Sequence, residues 1–166
     1  MLAKTFGSAV FGVGATTITI EVNMDQGVLT TMVGLPDSAV KESLQRVRAA
    51  ITNCGYKLPV RSITINMAPA DIRKEGTAYD LPVAIAILAA SEQLNSEEMH
   101  KFIIMGELSL DGSLRPVRGS LAMALQALKE GFKGIIVPTM NAEEAAVVAG
   151  IDVYGASCIS DVISII

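Results

Sequence analysis

Histidine occurs once, cysteine twice and tryptophan not at all in these 166 residues, and aromatic side chains make up only 4% of them. The single imidazole, His100, excludes a zinc helix with paired histidines and most catalytic schemes that need histidine as a base. It lies in the polar run Asn95-Ser96-Glu97-Glu98-Met99-His100-Lys101, which reads as surface. Cys54 and Cys158 stand far apart with no Cys-x-x-Cys pairing, so neither a disulfide framework nor a thiolate metal site is expected. Both read as small core residues in a reducing compartment.

Other absences narrow the function further. No Gly-x-x-x-x-Gly-Lys-Ser/Thr occurs, so the chain lacks a phosphate-cradling loop and is not a P-loop ATPase by itself. Gly12-x-Gly14 has no third glycine and precedes a strand pattern rather than a helix, which excludes a dinucleotide fingerprint. No apolar run approaches the ~20 residues that span a bilayer. The stretch Phe6 to Ala15 after Lys4 has the flavour of a signal peptide, but Gly7, Gly12 and Gly14 interrupt it. A soluble, cytoplasmic protein without membrane contact is the expectation.

What is present is aliphatic. Hydrophobic residues make up 51% of the chain, and 13 basic residues face 17 acidic ones for a net charge of −4. A chain of this size buries roughly two-thirds of the surface its unfolded form exposes, enough for a core without disulfide or metal. The acidic total hides a local excess of the other sign. Between Lys41 and Lys74, the cations Lys41, Arg46, Arg48, Lys57, Arg61, Arg73 and Lys74 face only Glu42 and Asp71.

Periodicity places the elements. Thr16 to Val22 alternates in a strand pattern, and Val28 to Val33 follows after Asp25-Gln26-Gly27, which together predict a hairpin. Asp37 or Ser38 can cap a helix carrying Val40, Leu44, Val47 and Ile51 on one face until Gly55. Arg61 to Ala68 alternates as a strand. Leu81 to Ala90 has no polar face at all, so it predicts a helix buried at the centre, with Asp80 as its cap and Pro82 tolerated in its first turn. Phe102 to Met105 predicts an interior strand, and Asp111-Gly112 a tight turn between Gly106–Leu110 and Leu114–Val117. Ser120 opens a helix to Glu130, Gly134 to Pro138 reads as a buried strand, and Asn141 with Glu144 predicts a capping-box start for a helix over Ala142–Ala149. Val153-Tyr154 and Ile159 to Ile166 read as strand and helix.

Two blocks stand out, Ala68 to Ser91 and Gly106-Glu-Leu-Ser-Leu-Asp-Gly-Ser-Leu-Arg-Pro-Val-Arg-Gly119. With Val33-Gly-Leu-Pro-Asp37 and Val40-Lys-Glu-Ser43 they closely resemble the N-terminal domain of ComM-type, magnesium-chelatase-like AAA+ proteins. That domain is in turn similar to the proteolytic domain of Lon proteases and to the Lon-like domain of RadA-type recombination proteins. The resemblance implies an α+β fold related to GHMP kinases and a ribosomal small-subunit domain, a twisted mixed sheet with helices packed mainly on one face. Residues 1–166 would form one such domain, with AAA+ ATPase and chelatase-like segments expected beyond Ile166.

Lon uses a serine nucleophile and a lysine base, a dyad that needs no histidine. Its loop Lys-Asp-Gly-Pro-Ser-Ala-Gly matches Lys74-Glu75-Gly76-Thr77-Ala78-Tyr79-Asp80, which puts Ala78 at the nucleophile's place. Its Pro-Ile-Gly-Gly-Leu-Lys matches Pro116-Val117-Arg118-Gly119-Ser120-Leu121, which puts Leu121 at the lysine's place. Thr77, Ser120 and Lys74 offer substitute groups, although Ser120 reads better as a helix cap and Thr77 as a loop residue. No catalytic, cofactor-binding or metal-binding residue is therefore assigned.

Arg73, Lys74, Arg115 and Arg118 remain as exposed-looking cations in the two blocks, with Arg46, Arg48 and Arg61 as an extension. They read either as solvated charge or as a contact surface for DNA phosphates or a neighbouring subunit, since guanidinium forks suit phosphate and carboxylate alike. The resemblance implies a parent that is a ring-forming ATPase acting on DNA in recombination, including branch migration during natural transformation. ATP and magnesium would be bound by its AAA+ part. This chain would be a non-catalytic scaffold whose partners are its own AAA+ module, neighbouring ring subunits and, on one reading, DNA. The alternatives are a regulatory domain that takes a polypeptide in a vestigial Lon cleft and, more remotely, a Ser/Lys peptidase.

Overall fold

The computed structural model describes residues 1–166. In chain order the strands are β1 (Leu2–Phe11), β2 (Gly14–Asp25), β3 (Thr30–Val33), β4 (Ser62–Ala68), β5 (Phe102–Ile104), β6 (Glu107–Leu108), β7 (Leu114–Arg115), β8 (Gly134–Pro138) and β9 (Asp152–Ala156). The helices are α1 (Ser38–Asn53), α2 (Asp80–Ala90), α3 (Ser120–Lys129), α4 (Ala142–Ala145) and α5 (Ile159–Ile165). Seven strands form one mixed sheet in the order β3-β4-β2-β1-β5-β8-β9, and β6 pairs with β7 as a separate ribbon.

The hairpin is not where alternation alone put it. β2 pairs antiparallel with β1 across the tight turn at Gly12, while β3 lies parallel to β4, which separates it from β2. The N-terminal stretch with the flavour of a signal peptide is therefore a sheet strand. Beyond β1 the sheet turns parallel, through β5, β8 and β9.

Helices cover the two halves of the sheet differently. On β2 and β4, Ile18, Ile20, Val22, Ile63, Ile65 and Met67 are buried while Thr64 is exposed and Asn66 half-exposed, the pattern of a sheet covered on one face. On β5 and β8 every residue is buried. The reason is visible at β1, where neighbouring residues point to opposite faces. The Thr5 hydroxyl donates to the Pro82 carbonyl of α2 at 3.0 Å, whereas Phe6 meets Phe132, just beyond α3, edge to face at 5.4 Å. The sheet is mixed as expected, but helices on mainly one face describes only its β3-β4 edge; α3 covers the other face around β2, β1 and β8.

All eleven residues of α2 are buried, as the absence of a polar face predicts. Each large aliphatic side chain there contributes roughly 1.5–3 kcal/mol by leaving water. One core cluster joins α2 to α1, α3 and the sheet. Glycine is required where elements meet most closely: a Cβ on Gly34, which has φ +104°, would lie 2.1 Å from the Met67 carbonyl oxygen. Cys54 and Cys158 are half-buried free thiols, and His100 is exposed. No helix is long and apolar enough to cross a membrane.

Candidate functional site

The two sequence blocks meet around one cavity of about 310 Å³. Its first wall is the loop before α2. This loop is zipped to the Gly34–Asp37 turn, because Lys74 N–H donates to the Leu35 carbonyl at 3.0 Å and Asp37 N–H to the Lys74 carbonyl at 2.9 Å. Asp37 does cap α1, accepting from Val40 N–H at 2.7 Å, and its other oxygen accepts from Gly76 N–H at 3.3 Å. Local helix capping and loop anchoring thus use one carboxylate.

Asp80 does not cap α2; its N-cap residue is Tyr79, and no side chain caps the helix. The Asp80 carboxylate is fully buried and accepts instead from Arg46 Nε at 2.7 Å, Arg46 Nη2 at 3.0 Å and Leu108 N–H at 3.0 Å. Burial pushes this carboxyl above its ordinary value, while Arg46 and the Leu108 amide pull it back. The triple tie joins α1, α2 and β6. It thereby sets the neighbouring Glu107, whose carboxylate accepts the Thr77 hydroxyl at 2.5 Å inside the cavity.

The second wall is the turn before α3. Gly119, at φ +85°, precedes the helix and packs against Val10, where a Cβ would lie 2.9 Å from the valine methyls. Ser120 is the first helical residue and caps nothing; its hydroxyl donates to the Asn141 carbonyl at 3.3 Å. Asn141 likewise forms no capping box, and α4 stops at Ala145. Its buried amide clamps Val117, accepting from the Val117 N–H at 2.9 Å and donating to the Val117 carbonyl at 2.7 Å. Glu144 accepts from Leu121 N–H at 3.3 Å.

The rest of the lining comes from β1 and the residue after β5. Gly7 leaves room for the Met105 sulfur, which accepts from Ser8 N–H at 3.3 Å. The Ser8 hydroxyl, on a residue 2% exposed, has no hydrogen-bond partner. Sequence reasoning passed over Ser8 and Glu107. The available signal was that Ser8 is the one polar residue between Phe6 and Val13.

Ala78 lines the cavity, and Leu121 is exposed on α3 outside its lining. The substitute groups are occupied: Thr77 by Glu107, Ser120 by Asn141, and Lys74 by the Gly34 and Pro69 carbonyls. Lys74 is wholly buried, which corrects its reading as an exposed cation, and burial lowers its pKa from the usual lysine range. Arg73 is exposed and ion-paired with Glu75 at 3.2 Å. Arg115 is exposed and donates to Ser109 Oγ at 2.9 Å; Arg118 is exposed at the cavity without a partner. Arg46 is spent on Asp80, and Arg48 and Arg61 line a different hollow beside Val28 and Val60. The basic segment therefore does not form one continuous face. No three His, Cys, Asp or Glu side chains gather where they could hold a metal ion.

Comparison with known proteins gives a consistent answer. Residues 20–141 match the family described as subunit ChlI of Mg-chelatase. The chain is 49% identical over 149 residues to uncharacterized protein YifB of Salmonella typhimurium, covering 89% of this chain and 29% of that protein. It is 42% identical over 163 residues to competence protein ComM of Haemophilus influenzae, covering 98% of this chain and 32% of that one. A more distant likeness, 29% over 111 residues, covers 67% of this chain and 24% of DNA repair protein RadA of Halalkalibacterium halodurans. The chain thus spans less than a third of the length of each of these relatives. With most of its length matched by the family and nearly all of it aligned with ComM, the chain belongs to the family of Mg-chelatase subunit ChlI, among its ComM-type members.

Proposed function

We propose that this chain is a non-catalytic scaffold domain with a Lon-protease-like fold, which helps assemble a ComM-type AAA+ ATPase ring acting on DNA in recombination and competence. The observation that carries the reading is the state of the cleft. Both walls are built, yet Ala78 and Leu121 align with the serine and lysine of the Lon dyad, and the substitutes Thr77, Ser120 and Lys74 are tied elsewhere. A nucleophile needs a base within hydrogen-bond reach, and Thr77 has only the weakly basic Glu107 carboxylate. ATP and magnesium would be held by the AAA+ part of a longer parent. The names of the ComM and RadA relatives support a link to competence and DNA repair.

A serine-reactive fluorophosphonate probe tests the catalytic half of the reading; the domain should stay unlabelled, and stoichiometric labelling would overturn it. The DNA half rests on Arg115 and Arg118, the exposed block cations without a carboxylate partner. Replacing both by glutamate in a full-length parent should weaken DNA binding and flatten its salt dependence, because the slope falls by about one for every phosphate that is no longer neutralised. Unchanged DNA binding would leave assembly as the role. A second reading, a regulatory domain that takes a polypeptide in this cleft, is favoured by the orphan Ser8 hydroxyl in the cavity.

A further inference from the structure

The cavity between the two walls carries unused bonding capacity of a definite kind. Ser8 Oγ is buried without a partner, a state that calls for a bonding group. Glu107 accepts Thr77 on Oε2 and keeps Oε1 free, with no cation in ion-pair range. Arg118 is an unpaired guanidinium on the same lining. The apolar lining includes Val10 and the thioethers of Met105 and Met123, which adapt to an unbranched aliphatic chain. At about 310 Å³ the space is at the small end of ligand pockets, which run from roughly 300 to 1,000 Å³.

The charges choose among ligands. Glu75 and Glu107 repel an anionic group, and Glu75 is already paired with Arg73. A guanidinium holds its donors in one plane, whereas Glu107 on β6 and Ser8 on β1 line the cavity from separate elements. An ammonium has three donors that point apart, so it can serve Glu107 Oε1 and Ser8 Oγ separately. Arg118, a pure donor, then has use for a carbonyl, the acceptor every peptide group supplies.

We propose that this cavity receives a lysine side chain presented by an extended segment of another polypeptide, its ammonium bonded to Glu107 and Ser8, its stem against Met105 and Met123, and its backbone carbonyl at Arg118. This deepens the second reading above and is independent of the scaffold reading and of DNA.

The test uses the 166-residue chain with carbon-13 methyl-labelled methionine, titrated with acetyl-Ala-Lys-Ala-amide, the same peptide with norleucine for lysine, and pentylamine. The lysine peptide should shift the Met105 and Met123 methyl signals saturably and bind about tenfold more tightly than the norleucine peptide, the scale of one desolvated charge contact. Glu107→Gln should remove that preference while the norleucine peptide binds the variant as tightly as it binds the unsubstituted chain. Equal binding of the lysine and norleucine peptides would overturn the lysine assignment and leave the peptide reading standing. No shift with either peptide would overturn both. Pentylamine binding as tightly as the lysine peptide would overturn the polypeptide source.

Discussion

Replacing Arg46 by methionine keeps the aliphatic stem and removes the guanidinium that neutralises Asp80. The Asp80 carboxylate has no exposed surface and three donors: Arg46 Nε at 2.7 Å, Arg46 Nη2 at 3.0 Å and Leu108 N–H at 3.0 Å. Hydrogen bonds to a charged group are worth about 1.5–3 kcal/mol each, and breaking a buried ion pair from one side costs about 3–5 kcal/mol. Because the Arg46 side chain is 21% exposed, the lower end, about 3 kcal/mol, is the expected loss. With a urea m-value of about 2 kcal/mol/M, the midpoint should fall by about 1.5 M at neutral pH. The deficit should shrink in acid. Burial already raises the Asp80 pKa above 3.8, so the folded state holds that proton more tightly than the unfolded one. A group of that kind loses stability as pH rises through its folded value and regains it as pH falls, and removing Arg46 strengthens the effect. The double variant Arg46→Met, Asp80→Leu should recover most of the loss by removing both charges. A midpoint shift below about 0.3 M for Arg46→Met alone, or no recovery in the double variant, would refute the claim that this pair carries the α1-α2-β6 junction.

Three further substitutions probe the frame of the cavity. Gly34→Ala places a methyl 2.1 Å from the Met67 carbonyl at a φ of +104°, and should destabilise by more than about 3 kcal/mol in urea melts; a loss under about 1 kcal/mol would contradict the close approach. Asn141→Ala strips both bonds from Val117 and should cost about 2 kcal/mol, with faster hydrogen exchange at the Val117 amide; unchanged exchange would show that the clamp is not needed. Lys74→Met tests a buried ammonium whose pKa lies below 10.5 because of desolvation, with Asp71 pulling the other way. Between that lowered value and 10.5 the unfolded state holds the extra proton, so stability gains as pH rises through the interval; the methionine variant should lack this gain, and parallel stability–pH curves would refute it.

The elements that periodicity could reach were legible. The apolar sequence Leu81 to Ala90 has no face to offer water, and α2 lies wholly inside. The alternation in Ser62 to Ala68 survives in β4 because one face there stays open. Strand pairing was less legible, for a physical reason. The segment Leu2–Phe11 carries glycine and serine where a strand pattern would show aliphatics, since β1 has helices on both faces and Gly7 makes room for Met105. With that strand hidden, β3 looked like the partner of β2, and nothing local to either strand shows that β4 comes between them.

The misread polar residues share a cause that bears on function. Asp80, Ser120 and Asn141 all stand at helix starts, where a short polar side chain ordinarily bonds its own backbone. Each is diverted to a partner at least 21 residues away, at Arg46, Asn141 and Val117 respectively. Helix α2 then begins with backbone help instead, as Leu81 N–H donates to the Gly106 carbonyl. These long-range ties fix the two walls of one cavity, and none of them passes through the side chain of Ala78 or Leu121. The frame of the cavity is therefore separable from whatever group stands at those two positions. A shaped, partly polar hollow held in this way needs no reactive group at either position to be available for recognition.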